Sequence, residues 1–274
     1  MDTLIRDAPV DGPLRRWGVL IAVLTAIGLA AWGAGAFGGD SITEAAGGWL
    51  DSDSTPLAPA SGAFRIWSVI YLGMLGYAVW RLASRGRSPA RARRADPWVV
   101  GSALLNAAWI GVVQADQLAL SLAVIVVLLA VLIRLHLLLA RTTAEGRVET
   151  VLLDGVFGLY LGWVCVAAVA NASALGGSLL DPERAMGPET WVVATAIGVL
   201  IVVVLLALAL SELTGRRLAP ILAIAWGTAW IAVGRLEGRF EDLILVIAAA
   251  AAAGTALVVP SVRRAALGRR AMSR

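Results

Sequence analysis

The chain has 274 residues, 59% of them hydrophobic and 15% charged, with a mean hydropathy of +0.81; a soluble domain carries about 25% charged residues. The excess falls into charge-free blocks of about 20 residues, long enough to cross a bilayer as helices, which excludes a soluble enzyme, a disulfide scaffold (Cys165 is the one cysteine) and a disordered chain. The net charge of +4 comes from arginines in short loops between apolar blocks, a topology signal rather than a nucleic-acid surface.

Eight spans are predicted in an all-α, polytopic membrane helix bundle. The first is Trp17–Phe37, preceded by Arg15 and Arg16. Its Ala34-Gly35-Ala36 looks like a signal-peptidase site, and cleavage there would leave seven spans. The apolar run is long enough to span, so a retained helix is the reading taken. The second is Phe64–Leu82, in which Trp67, Tyr71 and Met74 share a face at i, i+4, i+7. The third, Trp98–Ala115, carries Asn106 and Trp109 three residues apart. The fourth, Gln117–Ala140, holds Arg134 and His136 near one end. The fifth, Thr150–Leu175, begins with Asp154 and then presents Tyr160, Trp163, Ala167 and Asn171 on one face.

The sixth, Thr190–Leu210, is almost uniformly aliphatic. Its β-branched run Leu200-Ile201-Val202-Val203-Val204 is read as helix, because a lone strand cannot satisfy its backbone in lipid. The seventh, Leu218–Val233, is opened by Pro220 and carries Trp226 and Trp230 on one face. The eighth, Leu243–Val259, contains the small-residue run Ala248–Ala253 and is expected to close at Pro260.

All 23 basic residues are arginine, which with the abundant alanine points to a GC-rich bacterial genome. Eighteen of them lie before the first span, in the second, fourth and sixth loops, and in the tail. On the other side are Arg65, Arg184, Arg235 and Arg239. This asymmetry places both termini in the cytoplasm. The acids Asp40, Glu44, Asp51 and Asp53 fall in the first outer loop. Trp17, Trp80, Trp98 and Trp191 sit at span ends, as interfacial belt residues do.

Ordinary catalytic motifs are missing. Without lysine there is no phosphate-binding loop, and there is no nucleophile elbow, paired-cysteine site or paired-histidine zinc motif. Arg134 and Asp154 lie at similar depth on successive helices. Either they form an ion pair, or Arg134 snorkels and Asp154 caps its helix. Three mid-membrane faces are more telling: Trp67 with Tyr71, Asn106 with Trp109, and Tyr160, Trp163, Ala167 and Asn171. An amide in hydrocarbon must face protein, water or a ligand. Two readings fit: an apolar cavity with a few polar anchors, or side chains that lock helices together.

At these residues the sequence resembles the TspO family, the tryptophan-rich sensory proteins related to the mitochondrial translocator protein. Trp67-Ser68-Val69-Ile70-Tyr71-Leu72-Gly73-Met74 looks like the family's W-[ST]-x-x-Y-x-x-M in its second helix. Asn106-Ala107-Ala108-Trp109 is similar to the N-x-x-W of the third. Tyr160-Leu161-Gly162-Trp163, with Asn171 further on, is similar to the Y-x-x-W-x7-N of the fifth. The resemblance covers Trp17–Leu175 and implies a five-helix unit over residues 1–175, followed by a three-helix membrane extension over 176–274.

It further implies that Trp67, Tyr71, Asn106, Trp109, Tyr160, Trp163, Ala167 and Asn171 line a cavity for a porphyrin or another flat apolar ligand, with no resident cofactor or metal. In some bacterial relatives cavity tryptophans support photo-oxidative porphyrin breakdown. The usual W-x-P-P-x-W of the first long loop is replaced by Thr55-Pro56-Leu57-Ala58-Pro59-Ala60, with no tryptophan nearer than Trp49. The expected function is a membrane binding and sensory protein. The alternatives are a transporter of a small organic substrate or an assembly factor without a small ligand. The expected partners are the lipid bilayer, an apolar small molecule and a second copy of the chain in a homodimer, but not nucleic acid.

Overall fold

A computed structural model describes residues 11–36, 44–84, 89–181, 183, 186–213 and 217–272. The readings made on Arg6, Asp40, Arg85, Arg87, Arg184 and Arg216 fall outside these residues. Among the described residues the regular structure is entirely helical. The long helices are α1 (Pro13–Gly33), α2 (Ile66–Ala83), α3 (Ala90–Gln114), α4 (Leu118–Ala140), α5 (Val156–Leu180), α6 (Thr190–Leu213), α7 (Leu218–Gly234) and α8 (Leu243–Met272). One α-turn, Arg147–Glu149, and a π-helical stretch, Thr150–Gly155, lead into α5.

Seven of these helical stretches are long and apolar enough to cross a membrane. The exception, α7, has 17 residues, about 25 Å of rise against a hydrocarbon core of about 30 Å. Its ends are nevertheless tied to opposite ends of the bundle. At one end Arg217 donates to the Leu139 carbonyl and pairs with Asp154. At the other, Arg235 donates to the carbonyls of Ser52 and Thr55.

Helices α1 to α5 form a ring in the spatial order α1–α3–α4–α5–α2, and α7, α8 and α6 follow outward from α5. Helix α5 is therefore the wall shared by the ring and the last three helices. Glycines set how closely α7 approaches it. A Cβ on Gly162 would lie 2.0 Å from the Pro220 carbonyl oxygen, and one on Gly158 would lie 2.7 Å from the Ala219 Cβ. Val166 meets Gly227 one step further along. These pairs ascend together, so α5 and α7 run parallel, as odd-numbered passes must. Large apolar side chains left exposed, such as Leu72, Ile201 and Leu205, give the bundle its lipid-facing surface.

Two expected boundaries shift by more than two helical turns. Helix α3 begins at Ala90 rather than Trp98 and runs through Pro97. A proline cannot donate to the carbonyl four residues back, and Arg15 donates to that Arg93 carbonyl instead. Helix α8 continues past Pro260 to Met272 instead of closing there. Proline removes only one rung of the ladder, and the alanine- and arginine-rich segment after it favours helix.

The arginine-rich end is organised by two buried networks. Asp96 accepts from Tyr77 at 2.7 Å, from both Nε and Nη2 of Arg81 at 2.9 and 2.7 Å, and from Arg15 at 2.9 Å. Arg81 also pairs with Asp11, so α1, α2 and α3 are fastened together. In the second network Arg91 pairs with Asp154 and Glu149, and Arg217, just before α7, joins Asp154. The Arg134–Asp154 pair is thus not formed. Arg134 is exposed, with its guanidinium 5.7 Å from the centroid of Trp98. The register of α4 turns it outward, while Arg91 on α3 and Arg217 before α7 enclose Asp154.

Candidate functional site

The site begins on α2, where Trp67 and Tyr71, one helical turn apart, stack with centroids 5.1 Å apart. The Trp67 ring also meets Tyr160 edge-on at 5.6 Å and Trp163 at 6.3 Å, both from α5. From α3, Asn106 donates to the Tyr71 hydroxyl at 2.7 Å. Tyr160 donates to the Ser102 carbonyl at 3.2 Å, and Asn171 donates to the Ser121 hydroxyl of α4 at 3.1 Å. Each buried amide and phenol has a partner on a neighbouring helix, as burial of polar groups demands.

Two small cavities lie between these side chains. One, about 30 Å³, is lined by Phe64, Trp67, Asn106, Trp109, Trp163 and Ala167 among others. The next, about 40 Å³, is lined by Trp49, Phe64, Trp109, Trp163, Ala167 and Asn171 among others. The eight residues picked from the sequence therefore converge, six on the cavities and Tyr71 and Tyr160 through contacts with Trp67 and Asn106. The indole N–H groups of Trp109 and Trp163 have no hydrogen-bond partner, although Trp163 is only 1% exposed. Aromatic walls with two free donors can stack a planar apolar molecule and hold its polar edge.

Three contributors escaped the sequence reading. Phe64, three residues before Trp67, packs edge-on against Trp163 at 5.6 Å. Its position on the Trp67 face was the available signal. Ser121 is visible only through its bond to Asn171. Trp49 sits well upstream of the loop segment where a covering tryptophan is usual in the family, yet it reaches the 40 Å³ cavity. It rests on Gly177, where an added Cβ would lie 2.8 Å from its ring.

The segment that closes the site, between Trp49 and Phe64, is fastened by the later helices. Trp226 donates to the Ala63 carbonyl at 2.9 Å. Trp230 lies across Gly62, and its carbonyl accepts from the Ala60 amide at 3.0 Å. Asp53 accepts from the Arg239 amide. Trp226 and Trp230, 5.6 Å apart, thus pack on the approach to α2 rather than on the aromatic cluster itself.

Residues 16–261 match the family model described as TSPO-like protein. The chain belongs to the TSPO-like family. The match runs well past Leu175, through α6 and α7 and into α8, so the TSPO-like character is not confined to the stretch that carries the motifs. No curated relative and no solved structure matches the chain. In this TSPO-like protein the lone histidine, His136, is buried in α4, with neither ring nitrogen bonded. Cys165 is buried on α5, away from the Trp163 face.

Proposed function

We propose that this TSPO-like membrane protein binds a planar apolar ligand of the porphyrin type among Trp67, Trp109 and Trp163 and acts as a sensor for it. In this reading it sits in a bacterial cytoplasmic membrane with both termini in the cytoplasm and needs no resident cofactor. One observation carries the proposal: two buried indole donors, on Trp109 and Trp163, lack partners on the walls of an aromatic cluster. A buried donor without a partner costs about 1–3 kcal/mol, a cost that a ligand acceptor would remove.

The cavities of about 30 and 40 Å³ are far below the roughly 300–1,000 Å³ of ligand pockets. Binding in this reading therefore requires the Trp49–Phe64 segment to lift and Phe64 to leave Trp163. The same small volumes support a second reading, in which the aromatic faces serve helix packing in an assembly factor.

Tryptophan fluorescence of the purified protein, titrated with a porphyrin series and with unrelated apolar compounds, separates the two. Saturable and selective quenching, weakened by Trp163→Phe and Trp109→Phe but not by the lipid-facing control Trp17→Phe, supports the sensor. An absence of saturable quenching by any compound refutes it in favour of packing.

A further inference from the structure

Outside the ring, between α5 and α6, lies a larger cavity of about 360 Å³. Its α5 wall runs from Val169 to Leu180 and its α6 wall from Trp191 to Val199, about 16 and 12 Å of helix rise. The cavity is thus elongated along the helices. Its chemistry changes along that length. Ser54, Thr55, Asp181 and Arg239 gather at the end away from the arginine-rich networks, and Val169, Ala196 and Val199 line the end toward mid-membrane.

The long side is open. Ala172, Leu180, Trp191 and Thr195 are exposed along it, whereas Leu57, Ala196 and Phe240 are buried at the back. Trp191, expected as a plain belt residue, is therefore also a wall of this cavity. At the polar end Asp181 and Arg239 pair at 2.7 Å. Thr55, a residue 2% exposed, is among the residues lining this end, and its enclosed hydroxyl has no hydrogen-bond partner. Buried hydroxyls are ordinarily satisfied, so this one points to a missing group.

We propose that this cavity is a second binding site, taken by a membrane amphiphile with one acyl chain. The chain lies along α5 and α6. Its carbonyl or hydroxyl end meets Thr55, and its headgroup sits beside the Asp181–Arg239 pair. Three features select this occupant over a free apolar solute. The polarity gradient runs along the helices as it does in a lipid, the open side is flanked by the exposed apolar side chains of Ala172, Leu180 and Trp191, and an unsatisfied hydroxyl belongs to the polar end. The proposal does not depend on the porphyrin reading, since Trp49 is the one aromatic wall common to the two sites.

The test uses the full chain in phosphatidylcholine nanodiscs with a palmitate analogue that carries a diazirine on its chain. After irradiation, labelled positions are mapped by mass spectrometry. Expected is saturable labelling at buried Leu57, Ala196 or Phe240, competed by unlabelled palmitate. Thr55→Val should weaken half-saturation about two- to tenfold, the worth of one hydrogen bond. Ala196→Phe should abolish the labelling. If that variant does not assemble, Ser173→Phe blocks the cavity from the α5 side and serves in its place. Labelling that rises linearly with probe and stays on Leu180, Trp191 and Thr195 is annular lipid and overturns the proposal. Saturable labelling that both the blocking variant and Thr55→Val leave unchanged also overturns it.

Discussion

Replacing Asp96 with Asn removes one charge and almost no volume from the network that joins α1, α2 and α3. The Asp96 side chain is 2% exposed and that of Arg81, whose guanidinium it holds, is 0% exposed. Asp96 receives hydrogen bonds from Tyr77, Arg15 and two nitrogens of Arg81. Asparagine keeps one acceptor oxygen and turns an NH₂ toward a cation. Removing one member of a buried pair costs about 3–5 kcal/mol, here because Arg81 keeps Asp11 but loses the carboxylate that takes two of its nitrogens. With about 2–4 °C of Tm per kcal/mol for a chain of roughly this size, Asp96→Asn should lower the melting temperature by about 6–20 °C.

The assay is thermal unfolding in detergent, followed by tryptophan emission. The double variant Arg81→Met/Asp96→Leu should regain at least half of the loss, since it deletes both charges of the bidentate pair together. A fall of less than about 2 °C for Asp96→Asn would refute the reasoning. So would a double variant no more stable than the single one.

Further outcomes follow from the same geometry. Gly162→Ala should cost about 1–3 kcal/mol or more, because its Cβ would meet the Pro220 backbone at 2.0 Å; thermal unfolding of that variant beside Gly18→Ala, where a Cβ meets nothing, checks it. Arg91→Ala should destabilise strongly by leaving Asp154 and Glu149 short of a cation, whereas exposed Arg134→Ala, an ordinary surface change worth about 0.5 kcal/mol or less, should change Tm by no more than about 1–2 °C. Trp163→Phe should weaken porphyrin quenching at least tenfold, the common cost of removing a buried anchor, while Trp17→Phe leaves the half-quenching concentration unchanged. A C-terminal fusion should be active with a reporter that works in the cytoplasm and silent with one that requires the periplasm.

The helices were legible because the bilayer leaves the backbone few options. Uncharged runs of about 20 residues must be helical in lipid, and so the β-branched run around Val203 is helix in α6. Side-chain periodicity placed Trp67 with Tyr71 and Trp163 with Asn171 on single faces, since 3.6 residues per turn fixes that within any helix. The family motifs pointed those faces at one another, and the contacts of Trp67 with Tyr160 and Trp163 and of Asn106 with Tyr71 follow that arrangement.

What the linear chain could not supply is rotation and partner choice between helices. Arg134 and Asp154 share a depth, but the turn of α4 about its own axis aims Arg134 at Trp98 and lipid, and Asp154 is taken by Arg91 and Arg217 from helices distant in sequence. Arg81 counted as a topology charge in the sequence and is the buried hub of the first network. Trp49 reaches the site only because the segment around it folds back over α5 onto Gly177, and the cavity lined by Thr55 exists only where α6 stands away from α5. Hydropathy and periodicity are properties of one helix at a time, so they determine that helices form and which face is polar. Which faces meet is decided by close packing and by the need of each buried charge for a counter-charge, and both are properties of the assembled bundle.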